Sequence, residues 1–234
     1  MGKAGVIVGM ASEAACLAPL GPSLLIACSG ARPALARIRA EALLDAGATG
    51  LLSFGIAGAL SPDFTPGTLL LPKAVVMPGM GPGMKWMVDA VWHDRVLQLA
   101  VMSGLKLMPD LTIAGSDAAI TCVKDKNALA QTTGADAVDM ESHIVAAVAS
   151  ERGVPFLVLR AIADPAKRAI PAPALVGLGP DGETTAGAVA LRLLTAPWTL
   201  PALLRLAIDS RAGLKSLTEA VRLLGPAAFL PGRF

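Results

Sequence analysis

Three carboxylates stand where short apolar runs end: Glu13 in VIVGMASEA, Glu141 in AVDMES and Asp164 closing PFLVLRAIAD. A glycine-rich stretch, GIAGAL, follows a fourth run ending at Phe54. In open parallel sheets, ligands collect at the carboxyl ends of strands, so these four places can converge on one crevice. The chemistry that fits is scission at a sugar carbon bearing a nitrogen base. Breaking that bond builds positive charge on the sugar and negative charge on the departing base. A carboxylic acid beside the base, Asp164, can protonate it. A carboxylate beside the sugar, Glu141, can grip hydroxyls and face the cationic ring. Glu13 can orient or activate the nucleophile, water or phosphate. An acid in the first role must hold its proton, which apolar neighbours such as Ile162 and Ala163 favour.

Each residue also has a plainer reading. Asp164 precedes a proline and can cap a turn. Glu141 suits the first turn of a helix, where the dipole favours a negative charge. Glu13 can be a surface carboxylate of a first helix. GIAGAL has no dinucleotide-fingerprint spacing and reads as a tight strand-to-helix turn, and the prolines in GMGPG spoil the other glycine run as a helix start.

The elements that must position these groups alternate strand with helix. Strands are expected at Val6–Gly9, Leu24–Cys28, Leu51–Phe54, Thr68–Met77, Leu111–Ala114, Ala137–Asp139 and Phe156–Ala163. Helices are expected from Pro33 to about Ala46, at Asp89–Ser103, Glu141–Arg152, Thr185–Leu194 and Pro201–Leu224. The pattern implies an α/β fold with a central mixed, mostly parallel sheet flanked by helices. One domain over residues 1–195 and a helical C-terminal extension over 196–234, packed on it, are the expected organisation.

The composition agrees with a globular domain and argues against several other classes. The 234 residues are 54% hydrophobic but only 3% aromatic, so aliphatic side chains must fill the core. A net charge of +2 with no dense basic run argues against nucleic-acid binding. No uncharged apolar stretch is long enough to span a bilayer. The apolar run at the start is short for a secretory signal, and a first strand is the better reading. Cys16, Cys28 and Cys122 lack CxxC spacing and fit reduced thiols of a cytosolic protein. His93 and His143 stand alone, so no metal site is expected.

Taken in order, GIAGAL, VDMES and LRAIAD resemble the glycine turn and two acidic motifs of methylthioadenosine/S-adenosylhomocysteine nucleosidases and their nucleoside phosphorylase relatives. VIVGMASEA resembles that family's first strand and its Glu-bearing loop. The resemblance implies that Asp164 protonates N7 of a purine, that Glu141 binds ribose hydroxyls with Met140 against the sugar, and that Glu13 orients the nucleophile. It further implies that Ala57 and Gly58 line the pocket and that Ala118, Ala119 and Ile120 border the base. A closer similarity, through CSGARPALARIRAEALLDAGATGLLSFGIAGAL and VGLGPDGET, is to hopanoid-biosynthesis-associated phosphorylases. This implies adenine release from adenosylhopane, by phosphorolysis or hydrolysis; the alternatives are a methylthioadenosine/S-adenosylhomocysteine nucleosidase and a non-catalytic nucleoside-binding module. Ala119 stands where nucleosidases usually carry an aromatic, and Ile56 where they often carry Ser. Both changes make the pocket more apolar.

If phosphate is a co-substrate, Ser29, Gly30 and Arg32 are placed to bind it, since their loop precedes a helix N-terminus. No organic cofactor is expected. The expected partners are a small nucleoside, lipid-linked in the hopanoid case, and further copies of the chain. After Ala196 the chain has five basic and two acidic residues, and Leu214, Leu217, Val221 and Leu224 recur at helical spacing. Such a helix either packs on its own domain or lies on the inner face of a membrane.

Overall fold

Residues 2–79, 84–171, 174 and 196–232 are described in the computed structural model. The fold is organised by its longest strand. Lys3–Val8 (β1) runs parallel to Leu24–Cys28 (β2) and, on its other side, to Ala48–Ala59 (β3). Phe156–Asp164 (β9) lies parallel to β3 on the side away from β1, with Leu52 opposite Leu157 and Gly55 opposite Arg160. These strands are near-continuous apolar runs because both of their faces are covered.

The remaining strands are Leu69–Leu70 (β4), Ala74–Met77 (β5), Met84–Met87 (β6), Thr112–Gly115 (β7) and Ala137–Asp139 (β8). The order across the sheet is β2-β1-β3-β8-β7-β5-β6, with β9 joined to β3 and β4. Pairs β5·β7 and β7·β8 are also parallel, whereas β3·β8, β4·β9 and β5·β6 are antiparallel. The sheet is therefore mixed and mostly parallel, as its sequence implied.

Helices Ala11–Cys16 (α1), Pro33–Asp45 (α2), Ala90–Ser103 (α3), Val123–Thr133 (α4), Ser142–Arg152 (α5) and Leu200–Leu224 (α6) cover the sheet. Local chemistry sets their ends. Asp89 caps α3 by accepting from the Trp92 N–H at 2.7 Å. Left-handed Gly104, Gly134 and Gly153 terminate α3, α4 and α5.

Four sequence expectations change. GIAGAL is no turn, because β3 continues through it to Ala59 and its end pairs with β8. Glycine there serves close approach instead. The expected strand Thr68–Met77 is two strands, broken around Pro72, which has no N–H to give a ladder. Helix α4 has no counterpart among the expected helices because it is polar, with Lys126 its buried residue. Strand β6 is a four-residue, largely exposed strand beside the glycine run. The expected helix Thr185–Leu194 lies outside the described residues.

Helix α6 packs Gly213, Leu217, Ala220, Val221 and Leu224 inward. At Gly213 a Cβ would sit 3.1 Å from the Ile162 carbonyl oxygen, so glycine lets the helix lie directly on β9. The Leu217–Val221–Leu224 face is thus core, with Leu214 packed against it, and is not free to lie on a membrane. Among the described residues no helix is long and apolar enough to cross one.

Gly115 ends β7 against His143 of α5, and a Cβ at residue 115 would overlap the His143 ring. Gly115→Ala is expected to lower unfolding stability by roughly 1–3 kcal/mol through overpacking. Urea denaturation checks this, and a change below about 0.5 kcal/mol would mean the strand and helix separate freely.

Candidate active site

The carboxyl ends of β1, β3, β8 and β9 meet around Arg160, a guanidinium with no solvent exposure. Its Nε lies 2.7 Å from Asp139 Oδ2. Its Nη2 donates to Ser53 Oγ at 2.6 Å and to Glu141 Oε2 at 3.2 Å, and its Nη1 donates to the Ile56 carbonyl at 3.2 Å. A buried cation is tolerated only when paired and hydrogen-bonded, and the β3–β9 register supplies that by setting Arg160 opposite Gly55. Burial would depress Arg160, but the charges of Asp139, Glu141 and Glu13 outweigh it and hold the guanidinium above its usual range.

Glu13, 2% exposed, reaches the cluster from α1. Its Oε2 accepts the N–H groups of Gly9 (2.7 Å) and Met10 (2.9 Å), and its Oε1 accepts that of Ile56 (2.7 Å). Three of about four lone-pair positions are filled, leaving room for one more donor. Burial pushes Glu13 up from the usual carboxylate range, against the opposing pull of Arg160 and these three amides.

Glu141 ends the β8-to-α5 junction, and Asp139 ties the same junction by accepting the Ser142 N–H at 3.0 Å. Burial, against the pull of Arg160 and reinforced by the neighbouring charges of Asp139 and Glu13, pushes Glu141 up to about 7. Two glycines admit this crowd of charge. At Gly9 a Cβ would come within 3.0 Å of Glu141 Oε1 and 3.4 Å of Glu13 Oε2. At Gly55, whose φ is +153°, a Cβ would overlap Glu13 and lie 2.7 Å from Arg160 Nη1.

Asp164 stands at the end of β9, just past a bulge opposite Ala57 and Gly58. Its apolar neighbours Ile162 and Ala163 are buried, as expected, yet what touches its carboxylate is a cation. Lys126 Nζ of α4 donates to Asp164 Oδ2, and also to the carbonyls of Pro165 and Arg168, both at 3.0 Å. Asp164 therefore faces the cavity with one carboxyl oxygen against a buried lysine rather than in a purely apolar pocket.

These groups border a cavity of about 300 Å³. Of the residues singled out from sequence, Glu13, Glu141, Asp164, Met140, Ala57, Gly58, Ala118, Ala119 and Ile120 all line it. The suggested phosphate loop is arranged differently. Ala31 lines the cavity, while Ser29 is buried, its N–H donating to the Val8 carbonyl at 2.8 Å and its hydroxyl to Glu141 Oε1 at 3.4 Å. Gly30 and Arg32 are not part of the described lining, and Arg32 is exposed.

Sequence reasoning passes over Asp139, Arg160 and Lys126. Arg160 carries a signal, an arginine inside an apolar strand, which must find buried partners. Lys126 carries none, because nothing in a polar helix marks the lysine that turns inward. Among the described residues, no cluster of potential metal ligands occurs.

The chain belongs to the phosphorylase superfamily, whose family model matches residues 4–196. Its structure is similar to S-adenosylhomocysteine nucleosidase from Streptococcus pyogenes in complex with 5-methylthiotubericidin (TM-score 0.72, 16% identity, 95% of each chain covered). It also resembles a mutant methylthioadenosine nucleosidase of Helicobacter pylori with 5′-methylthioadenosine in the active site (TM-score 0.67, 18% identity, 95% of this chain and 99% of that one). Futalosine hydrolase of Helicobacter pylori is a third similar structure (TM-score 0.68, 18% identity, 94% and 97% covered). A comparison with curated proteins finds no significant match.

The shift of Glu141 from 4.5 to about 7 makes stability depend on pH. Between those values the folded protein keeps a proton that the unfolded chain has released, so stability falls as pH rises through this window. Glu141→Gln is expected to flatten that part of the curve, as read from urea midpoints taken from about pH 4 to 8. An unchanged slope would place the titrating group elsewhere.

Proposed function

We propose that this chain cleaves the N-glycosidic bond of a 5′-modified adenosine, with water as nucleophile and an apolar group at the 5′ position. Adenosylhopane is the substrate suggested by the similarity to hopanoid-associated phosphorylases, and methylthioadenosine is the rival. The observation that carries the reading is the set of Glu13, Asp139, Glu141 and Asp164 around one cavity, at the ends of strands in a phosphorylase-superfamily fold.

In this reading the base lies near Asp164, Ala118, Ala119 and Ile120. As the C1′–N9 bond breaks, its electron pair moves into the base and N7 takes a proton from Asp164. Glu141 accepts hydrogen bonds from the ribose hydroxyls and, with Glu13, faces the developing oxocarbenium charge. Water donates to the remaining lone pair of Glu13, adds to C1′ through its oxygen and gives up that proton to the Glu13 carboxylate.

Charge balance supports water over phosphate. The cavity is bordered by four carboxylates, and the nearby guanidinium of Arg160 is already shared among Asp139, Glu141 and Glu13. A dianion entering this space would find the Arg160 charge already shared among carboxyl groups, whereas a neutral water needs no counter-charge. The lining contributed by Ile56, Ile170, Ala174 and Leu206 supports an apolar 5′ group, and the volume suits a nucleoside head with its tail directed outward.

The test measures free adenine released from methylthioadenosine and from adenosines carrying progressively longer 5′ hydrocarbons, adenosylhopane included. We expect kcat/KM to rise with the apolar group, and Asp164→Asn to lower kcat by about 10²–10⁴-fold while substrate still binds. Preference for methylthioadenosine would assign the chain to the rival substrate. Absence of adenine release from every substrate would refute the enzymatic reading.

A further inference from the structure

Lys126 is fully buried, lies on an otherwise polar helix and is not among the residues lining the cavity. Its three N–H bonds are all accounted for by Asp164 Oδ2 and by the carbonyls of Pro165 and Arg168. Burying an ammonium is costly, so a lysine in this place needs close compensation. A purely structural tether between α4 and the turn after β9 requires only the two carbonyls. The third partner is the side chain that faces the nucleoside base in the reading given above, on which this inference rests.

We infer that Lys126 is a positioning residue for the leaving-group step, holding Asp164 by one oxygen and stabilising the carboxylate that remains when Asp164 gives its proton to the base. The step balances without any further reactant. The C1′–N9 electron pair goes to the base, the proton moves from Asp164 to N7, and the new carboxylate is left against an ammonium whose charge is unchanged. Beside an ammonium that is fully buried, an opposite charge at contact distance is more effective than in bulk solvent. Lys126 also fixes the direction of the Asp164 side chain at the bulged end of β9, where Asp164 is the last residue paired with β3.

The experiment compares two leaving groups on one 5′-alkylthio ribose. Adenine must be protonated as it departs, whereas 4-nitrophenolate departs as a stable anion. For Lys126→Met we expect kcat for adenine release to fall about 10²-fold with KM changed less than about 3-fold, and nitrophenol release to fall less than about 10-fold. Lys126→Arg, which keeps the charge, should recover part of the lost adenine rate. In an Asp164→Asn background, Lys126→Gln should add less than about 3-fold, because it acts through a group already removed.

Lys126→Gln also serves as the single variant if Lys126→Met does not fold, since its amide can still donate to the two carbonyls. Equal losses for both leaving groups, no loss for either, or additive losses with Asp164→Asn would each overturn the role given to Lys126. If wild-type protein releases nitrophenol and adenine normally and only these ratios fail, the inference falls and the functional reading stands. If wild-type protein releases neither, the functional reading itself falls.

Discussion

The structure depends on one buried guanidinium. Arg160 sits in the middle of a strand that is otherwise apolar and contacts Asp139, Glu141, Ser53 and the Ile56 carbonyl. Removing it would leave buried carboxylates facing one another without a counter-charge, a situation that typically costs about 3–5 kcal/mol. Burial, with the neighbouring charges of Asp139 and Glu13 adding to it and Arg160 opposing it, pushes Glu141 up to about 7. A site so arranged is poised to receive positive charge. In the proposed reaction an oxocarbenium-like sugar supplies it at the transition state and not before, which is the condition for catalysis by differential binding.

The backbone makes this cluster possible. β3 passes between β1 and β9 and continues beyond β1 to pair with β8, so four strand ends open on one side. Gly9 and Gly55 allow two glutamates to approach the main chain where any side chain would collide. Three amides hold Glu13, so its position follows from the fold and not from its own rotamer preferences. Helix α6 closes the far side, contributing Leu206 and Ser210 to the cavity while its later turns are anchored on β9.

Much of this is legible from residue order because ligands collect at strand ends in a parallel sheet. Glu13, Glu141 and Asp164 each follow an apolar run, a pattern that allows them to converge while leaving the plainer reading of each open. GIAGAL misleads because glycine signals a turn when only local conformation is considered. Here the need is room for Glu13 and Arg160, a long-range demand that no local pattern records. Lys126 is invisible for a related reason, since its partner lies 38 residues away and its helix has no apolar period to orient it. The Ser29–Arg32 loop reads as an anion cradle from its place before α2. In the structure the Ser29 hydroxyl is engaged with Glu141.

The most direct test of the account is the origin of the oxygen that ends on C1′. The reaction should be run in ¹⁸O-labelled water with unlabelled phosphate present, and the mass of the released sugar read by mass spectrometry. The account predicts a free sugar carrying one ¹⁸O. A sugar 1-phosphate, or a free sugar without the label, would contradict attack by water in this acidic site.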